Sequence, residues 1–108
     1  MPARYELLRQ AILEKKQVIA MYEGYPREMC PHVLGWKDGV RHVFSFQFAG
    51  DSSQGLPPEG GWKCMEVDGL SQVSLRDGPW HTGTTETDKP ESCVDLNRIE
   101  VQVSKTGR

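Results

Sequence analysis

The Asp38-Gly39 pair lies between two β-rich segments and constrains the fold more than any other feature of the sequence. An Asp-Gly pair favours a two-residue hairpin turn, because both turn positions require a positive φ. The segment REMCPHVLGW precedes the pair and RHVFSFQF follows it, so we expect two antiparallel strands. One face of the second strand is predicted to anchor the core. It carries His42, Phe44, Phe46 and Phe48.

The rest of the chain predicts a single, mainly β (α+β) domain with one N-terminal helix. Leu8, Ala11 and Ile12 recur at helical spacing, which indicates a helix over about 3–16. Strand-like segments separated by turns follow over about 17–76, and then a polar loop and a final strand over about 77–104. About five or six short strands at this spacing are typical of small barrels and sandwiches. Within the second strand, Pro31 cannot donate to a sheet and marks an edge or a bulge.

The three cysteines, Cys30, Cys64 and Cys93, are widely spaced and include no Cys-x-x-Cys pair. An odd number in this pattern suits free thiols in a reducing compartment better than a disulfide framework. The N-terminal MPARYELLRQ lacks an apolar signal-peptide core, and no segment approaches the roughly 20 apolar residues of a membrane helix. We therefore expect a cytoplasmic protein without a membrane partner.

A predicted helix is followed, in order, by VIAMYEGYPREMCPHVLG, VFSFQFAGDSS and GWKCMEVDGLSQVSL. This order resembles the WYL domain family, especially its short stand-alone bacterial members, over about residues 11–75. The resemblance implies an SH3-like or Sm-like β-barrel of five to six strands. It also implies a role in transcription regulation or as an accessory module of a nucleic-acid enzyme, with a basic groove that senses a small ligand or binds single-stranded nucleic acid.

Some of the family pattern is present and some of it is replaced. Tyr22, Arg27 and Pro31 match its tyrosine, arginine and proline. Lys63 stands in place of an arginine, and a lysine cannot grip a phosphate in the bidentate manner of arginine. Gly69 replaces a second arginine of the family pattern.

The Trp-Tyr-Leu triplet that gives the family its name falls on residues 41–43, which are Arg-His-Val in this chain. Only the aliphatic position of the triplet is kept. The family's basic groove is therefore expected to be weaker here.

The candidate ligand-binding residues form an anion-facing patch with possible stacking partners. They are Arg27, His32, Arg41, His42, Trp62 and Lys63. The resemblance places Arg27 and Lys63, whereas strand parity and charge alone add His32 and Arg41. His42 or Trp62 would stack on a base. The alternative interpretation is that the charged residues are solvated surface groups, as most surface lysines and arginines are.

Neither a metal site nor an enzyme active site is expected. Cys30 and His32 lie two residues apart on one strand face, but the other Cys and His residues are isolated, whereas zinc ligands are normally closely spaced. Ser52 lacks the Gly-x-Ser-x-Gly elbow of a nucleophilic serine. We expect no cofactor, and a catalytic role would require an unusually reactive Cys30 thiol.

Composition narrows the function further. Thirteen Lys and Arg residues against fifteen Asp and Glu give a net charge of −2, which argues against a general nucleic-acid coat but leaves room for a local basic face. We expect a non-enzymatic ligand-sensing or regulatory domain that binds an anionic small molecule, such as a nucleotide, or single-stranded nucleic acid. The alternative is a protein-interaction or homodimerisation module that uses REMCPHVL as an edge strand.

Overall fold

The computed structural model describes residues 3–52, 55–82 and 90–103, which form one helix and six strands. The elements in chain order are α1 (Arg4–Glu14), β1 (Gln17–Tyr22), β2 (Tyr25–Lys37), β3 (Val40–Gly50), β4 (Gly61–Glu66), β5 (Leu70–Arg76) and β6 (Ile99–Gln102). The strands form one antiparallel sheet in the order β4-β3-β2-β1-β5, and β6 pairs with β2. The mainly β class with one helix is therefore confirmed. The sheet is an open path from β4 to β5, so a closed barrel remains a prediction.

Two tight turns set the register of the first three strands. Asp38 and Gly39 both have positive φ, 53° and 78°, and join β2 to β3, so the predicted hairpin is confirmed. Glu23 and Gly24 turn the chain between β1 and β2 in the same way, with φ of 55° and 81°. A glutamate rarely adopts this left-handed conformation, so this turn has a conformational cost of its own.

Pro31 lies at a bulge in the middle of the sheet. The pairing of β2 with β3 shifts register between Pro31 and Val33. On its other side, β2 pairs with β1 as far as Met29 and with β6 from Val33 onward. The prediction of a bulge is confirmed, and the prediction that this strand is a sheet edge is wrong. Pro31 lies where β2 changes its partner strand from β1 to β6. The absence of an N–H group at this position therefore interrupts neither pairing.

The main core lies between α1 and one face of the sheet, and the described residues that form it include no phenylalanine. Its buried members are Leu8, Ala11, Ile12, Val18, Ala20, Met29, Leu34, Val43, Met65, Val67, Leu70, Val101 and Val103. The expectation of a phenylalanine core is therefore met only in part: Phe44 and Phe46 are buried, but Val43, and not Phe44, belongs to the cluster that contains the helix residues. Both faces of β3 are buried. The alternation of side chains along the strand assigns each residue to one of two faces, but it does not show which face the helix covers.

The opposite face of the sheet carries Phe44 beneath the segment that follows β5. Phe44 packs with Val33, Val94 and Cys93, and Trp62 packs against this second cluster. Cys93 forms a disulfide with Cys64 of β4 at a Cα–Cα distance of 5.5 Å. The expectation of three free thiols is therefore wrong for two of them. The two cysteines are 29 positions apart in the sequence, so their proximity arises only in the folded chain.

Within the described residues, α1 is the longest helix at 11 residues, and no helix is long and apolar enough to cross a membrane.

We expect the Cys64–Cys93 disulfide to stabilise the folded chain, because it restricts the unfolded chain across 29 residues. The Cys64→Ala/Cys93→Ala double variant should lose roughly 3 kcal/mol of unfolding free energy in urea denaturation. A reducing agent should lower the stability of the wild type to that of the variant and leave the variant unchanged. Equal stability of oxidised and fully reduced wild type would contradict this role.

Candidate functional site

The sheet curls so that the end of β1 approaches β4. The backbone N–H of Glu66 donates to the hydroxyl of Tyr22 at 3.0 Å, and Tyr22 also pairs with Leu70 at the start of β5. A Cβ atom at Gly69 would lie only 2.8 Å from the Tyr22 ring. Because the ring passes so close, glycine fits at this position and a larger residue would have to displace the ring.

The curl leaves a cleft of about 250 Å³, which we call the Arg27 cleft. Its lining includes Tyr22, Glu23, Arg27, Ser52, Lys63 and Met65. The β1–β2 hairpin supplies the first three of these residues, and β4 supplies Lys63 and Met65. Two cationic side chains from strands far apart in the sequence therefore share one depression.

Arg27 is an almost completely buried cation, with 3% of its side chain exposed. Its Nη1 donates to Oε1 of Gln47 and its Nη2 to the carbonyl of Tyr22, both at 3.2 Å. The carboxylate of Glu23 lies 3.5 Å from Nη2 and is 60% exposed. The Nε atom is buried and donates to no described residue. Since burying a charge is costly unless it is paired, this guanidinium is only partly compensated.

Gln47 holds the guanidinium in place, and sequence reasoning did not single it out. Its Nε2 group donates to the carbonyls of Ala49 and Asp51, at 3.0 and 2.8 Å. With the amide nitrogen engaged on both sides, Oε1 is left to accept from Arg27. The rings of Tyr22 and Tyr25 add cation–π contacts at 5.3 and 5.8 Å from the guanidinium carbon. The only indication of this role in the sequence was that Gln47, a polar residue, shares a face of β3 with the apolar Val43.

Lys63 is the second cation of the Arg27 cleft. It lies opposite Ser45 of β3 and is half-buried. Lys63 forms no ion pair with any carboxylate in the described part of the chain, unlike Arg27, which has Glu23 nearby. The positive charge of Lys63 is therefore available to a ligand.

His32 and Trp62 lie in an aromatic layer outside the Arg27 cleft. The rings of Trp62 and Trp80 are each centred 4.9 Å from the ring of buried His32. Trp62 also stacks on Phe44, with centroids 4.8 Å apart and planes 3° apart. The Trp62 ring is engaged in this packing and is not presented beside Lys63 as an open stacking surface.

Arg41 and His42 lie near the β2–β3 turn and do not line the cleft. The Arg41 guanidinium lies 4.1 Å from the ring centre of Tyr5 and 4.6 Å from that of Trp36, with Glu100 at 3.3 Å. A hydrogen bond from Trp36, together with the charge of Arg41, lowers the pKa of the Glu100 carboxyl. This arrangement fastens α1 to the sheet. His42 contacts the carbonyl of Val40 through Nδ1 at 3.0 Å.

The structure thus brings Arg27 and Lys63 together and places the other four candidates elsewhere. Strand parity put Arg41 and His32 near the patch. His32 instead lies at the bulge of β2 between two tryptophan rings, and Arg41 lies near the β2–β3 turn against Tyr5 and Trp36. No group of three or more His, Cys, Asp or Glu residues in the described ranges is placed to hold a metal ion.

Cys30 is free and buried, and its Sγ accepts the N–H of His81 at 3.3 Å. Burial raises the pKa of this thiol from 9.0 to about 11, which disfavours the nucleophilic thiolate.

No protein-family model matches this chain, and neither the curated proteins nor the solved structures include a significant match.

We expect Cys30 to resist alkylation in the folded protein, because it is buried and its pKa is raised to about 11. Iodoacetamide at about pH 8 should label the non-reduced protein only after urea unfolding, and mass spectrometry should then show a single modified site. Cys64 and Cys93 serve as internal controls, since they should react only after reduction. Rapid labelling of Cys30 in the folded state would contradict this expectation and would favour a catalytic role.

Proposed function

We propose that this chain is a non-enzymatic, ligand-sensing binding domain of WYL type that holds an anionic group in the Arg27 cleft. One observation carries the proposal: a buried and incompletely compensated arginine shares a cleft with a lysine that pairs with no described carboxylate. An anion placed between them would accept charge-assisted hydrogen bonds from two cations, each bond worth roughly 1.5–3 kcal/mol.

The surroundings of the cleft support an anion in preference to a neutral ligand. Glu23 is the only carboxylate that pairs with Arg27 among the described residues, and it is mostly exposed on a turn with an unfavourable backbone conformation. A ligand anion would therefore compete with one weakly held side chain. Gln47 keeps Arg27 oriented in the absence of a ligand, which reduces the ordering cost of binding.

A small molecule such as a nucleotide fits this cleft better than single-stranded nucleic acid does. A cleft of about 250 Å³ with two cations offers room and charge for one or two anionic groups. A strand of nucleic acid needs a row of cations along its backbone and aromatic rings that face its bases. Arg41 and Trp62, the natural extensions of such a row, are engaged elsewhere.

The strand order also supports the proposed SH3-like barrel. β4 and β5 stand at the two ends of the pairing path, yet only the 3-10 turn at Val67–Gly69 separates them along the chain, so the ends of the path meet at this turn. The contact of Tyr22 with Glu66 draws β1 and β4 together. The proposed barrel would carry the Arg27 cleft at this junction.

Binding can be tested with 5′-AMP and adenosine, which differ only in the phosphate. At low salt, 5′-AMP should raise the melting temperature of the wild type and adenosine should not, because only a ligand that prefers the folded state stabilises it. Isothermal titration should show that Lys63→Ala weakens 5′-AMP binding by about tenfold, the loss of one charge-assisted contact. Arg27→Lys keeps the charge but loses the planar fork, and should also weaken binding.

Arg9→Ala is the matched control, since it removes one positive charge from an exposed position of α1. It should leave 5′-AMP binding unchanged. Equal losses in Lys63→Ala and Arg9→Ala, or no stabilisation of the wild type by 5′-AMP or by inorganic phosphate, would reject the proposal. A short oligothymidylate that binds more tightly than 5′-AMP would reject the preference for a small ligand.

The alternative function, a protein-interaction module, would have to use a strand other than the expected β2. Because β2 is paired on both sides, an added strand or a second copy would have to use β4, β5 or β6, which each pair with one strand among the described residues. Within β5, Gln72 has a φ of 52° and the pairing with β1 is irregular, which disfavours strand addition there. A dimer in light scattering that persists in the absence of any ligand would favour this alternative.

A further inference from the structure

Lys63 lines two neighbouring depressions and not only one. Besides the Arg27 cleft, it lines an open depression of about 480 Å³ together with Gly55, Leu56 and Pro57, which we call the Leu56 depression. Its side chain thus stands at the boundary between the two. A ligand anchored at Lys63 has room to extend in either direction.

Ser52 ties the two depressions together. It is buried, it lines the Arg27 cleft, and its hydroxyl donates to the carbonyl of Gly55 at 2.8 Å. Its backbone N–H donates to the carboxylate of Asp51 at 2.8 Å. The segment that carries Leu56 is therefore attached to the rim of the Arg27 cleft, and the two depressions share Lys63 as a lining residue.

The two depressions differ in chemistry. The Arg27 cleft presents charged and hydroxyl groups, whereas the Leu56 depression presents a half-buried leucine and an exposed proline ring. A lysine suits the boundary, because its methylene stem covers apolar surface while its amine reaches a polar partner. Pockets that combine apolar walls with a few placed polar groups are typical of small-molecule sites.

We propose that the ligand is a small amphipathic anion, with a phosphate or carboxylate between Arg27 and Lys63 and a compact apolar group over Leu56 and Pro57. This inference rests on the proposed function and adds the class of ligand to it. Among the described residues, the apolar surface consists of one leucine and one proline, so it matches an aryl or short alkyl group and is too short for a long acyl chain.

Three probes separate the two halves of the ligand: inorganic phosphate, phenyl phosphate and phenol. By isothermal titration, phenyl phosphate should bind about tenfold more tightly than inorganic phosphate, since it also covers apolar surface. Phenol should not bind measurably, because it lacks the anionic group. Leu56→Ser should abolish the advantage of phenyl phosphate and leave the affinity for inorganic phosphate unchanged.

Leu96→Ser is the matched control, because Leu96 is 62% exposed and lines neither depression. It should keep the full advantage of phenyl phosphate. Equal affinities for phenyl phosphate and inorganic phosphate, or equal effects of Leu56→Ser and Leu96→Ser, would overturn this inference while the anion site stands. Absence of binding by both phosphates would instead overturn the proposed function, and this inference with it.

Discussion

Tyr22 makes the contacts on which the arrangement of this molecule depends. Its hydroxyl accepts the N–H of Glu66, its ring lies against Gly69, and its backbone carbonyl accepts from Arg27. One residue at the end of β1 therefore joins β4, the turn into β5 and the buried guanidinium. Without the hydrogen bond from Glu66 to Tyr22, one of the interactions that hold β4 against the end of β1 would be lost. The strand that carries Lys63 would then not be held facing Arg27.

Burying the Arg27 guanidinium costs free energy of desolvation, and a small number of specific contacts offset this cost. Gln47 and the carbonyl of Tyr22 accept its hydrogen bonds, and only Glu23 offsets its charge among the described residues. If position 27 served only to fill space in the fold, an apolar residue would stabilise the protein more, because burying a charge rarely stabilises a protein. The proposed anion site explains why a cation is placed there.

The rest of the chain secures this arrangement from the opposite face. A domain of 108 residues buries a modest share of its surface, and here the helix covers one face of the sheet while an aromatic layer and a disulfide cover the other. The Cys64–Cys93 link ties the edge strand β4 to the segment before β6. The same strand carries Lys63, so the disulfide also steadies one side of the Arg27 cleft.

Local patterns in the sequence determined the parts of the fold that depend on near neighbours. The helical spacing of Leu8, Ala11 and Ile12 indicated the buried stripe of α1, and the Asp38-Gly39 pair indicated its hairpin. The expectation that Arg27 and Lys63 share one groove came from the family resemblance, which spans both segments, and not from local pattern. Tertiary structure alone decided which face of β3 meets the helix, which cysteines join, and where Arg41 and His32 lie. The reason is physical: turn preference and periodicity act over a few residues, whereas these choices depend on the curl of the sheet and on segments that meet from distant parts of the chain.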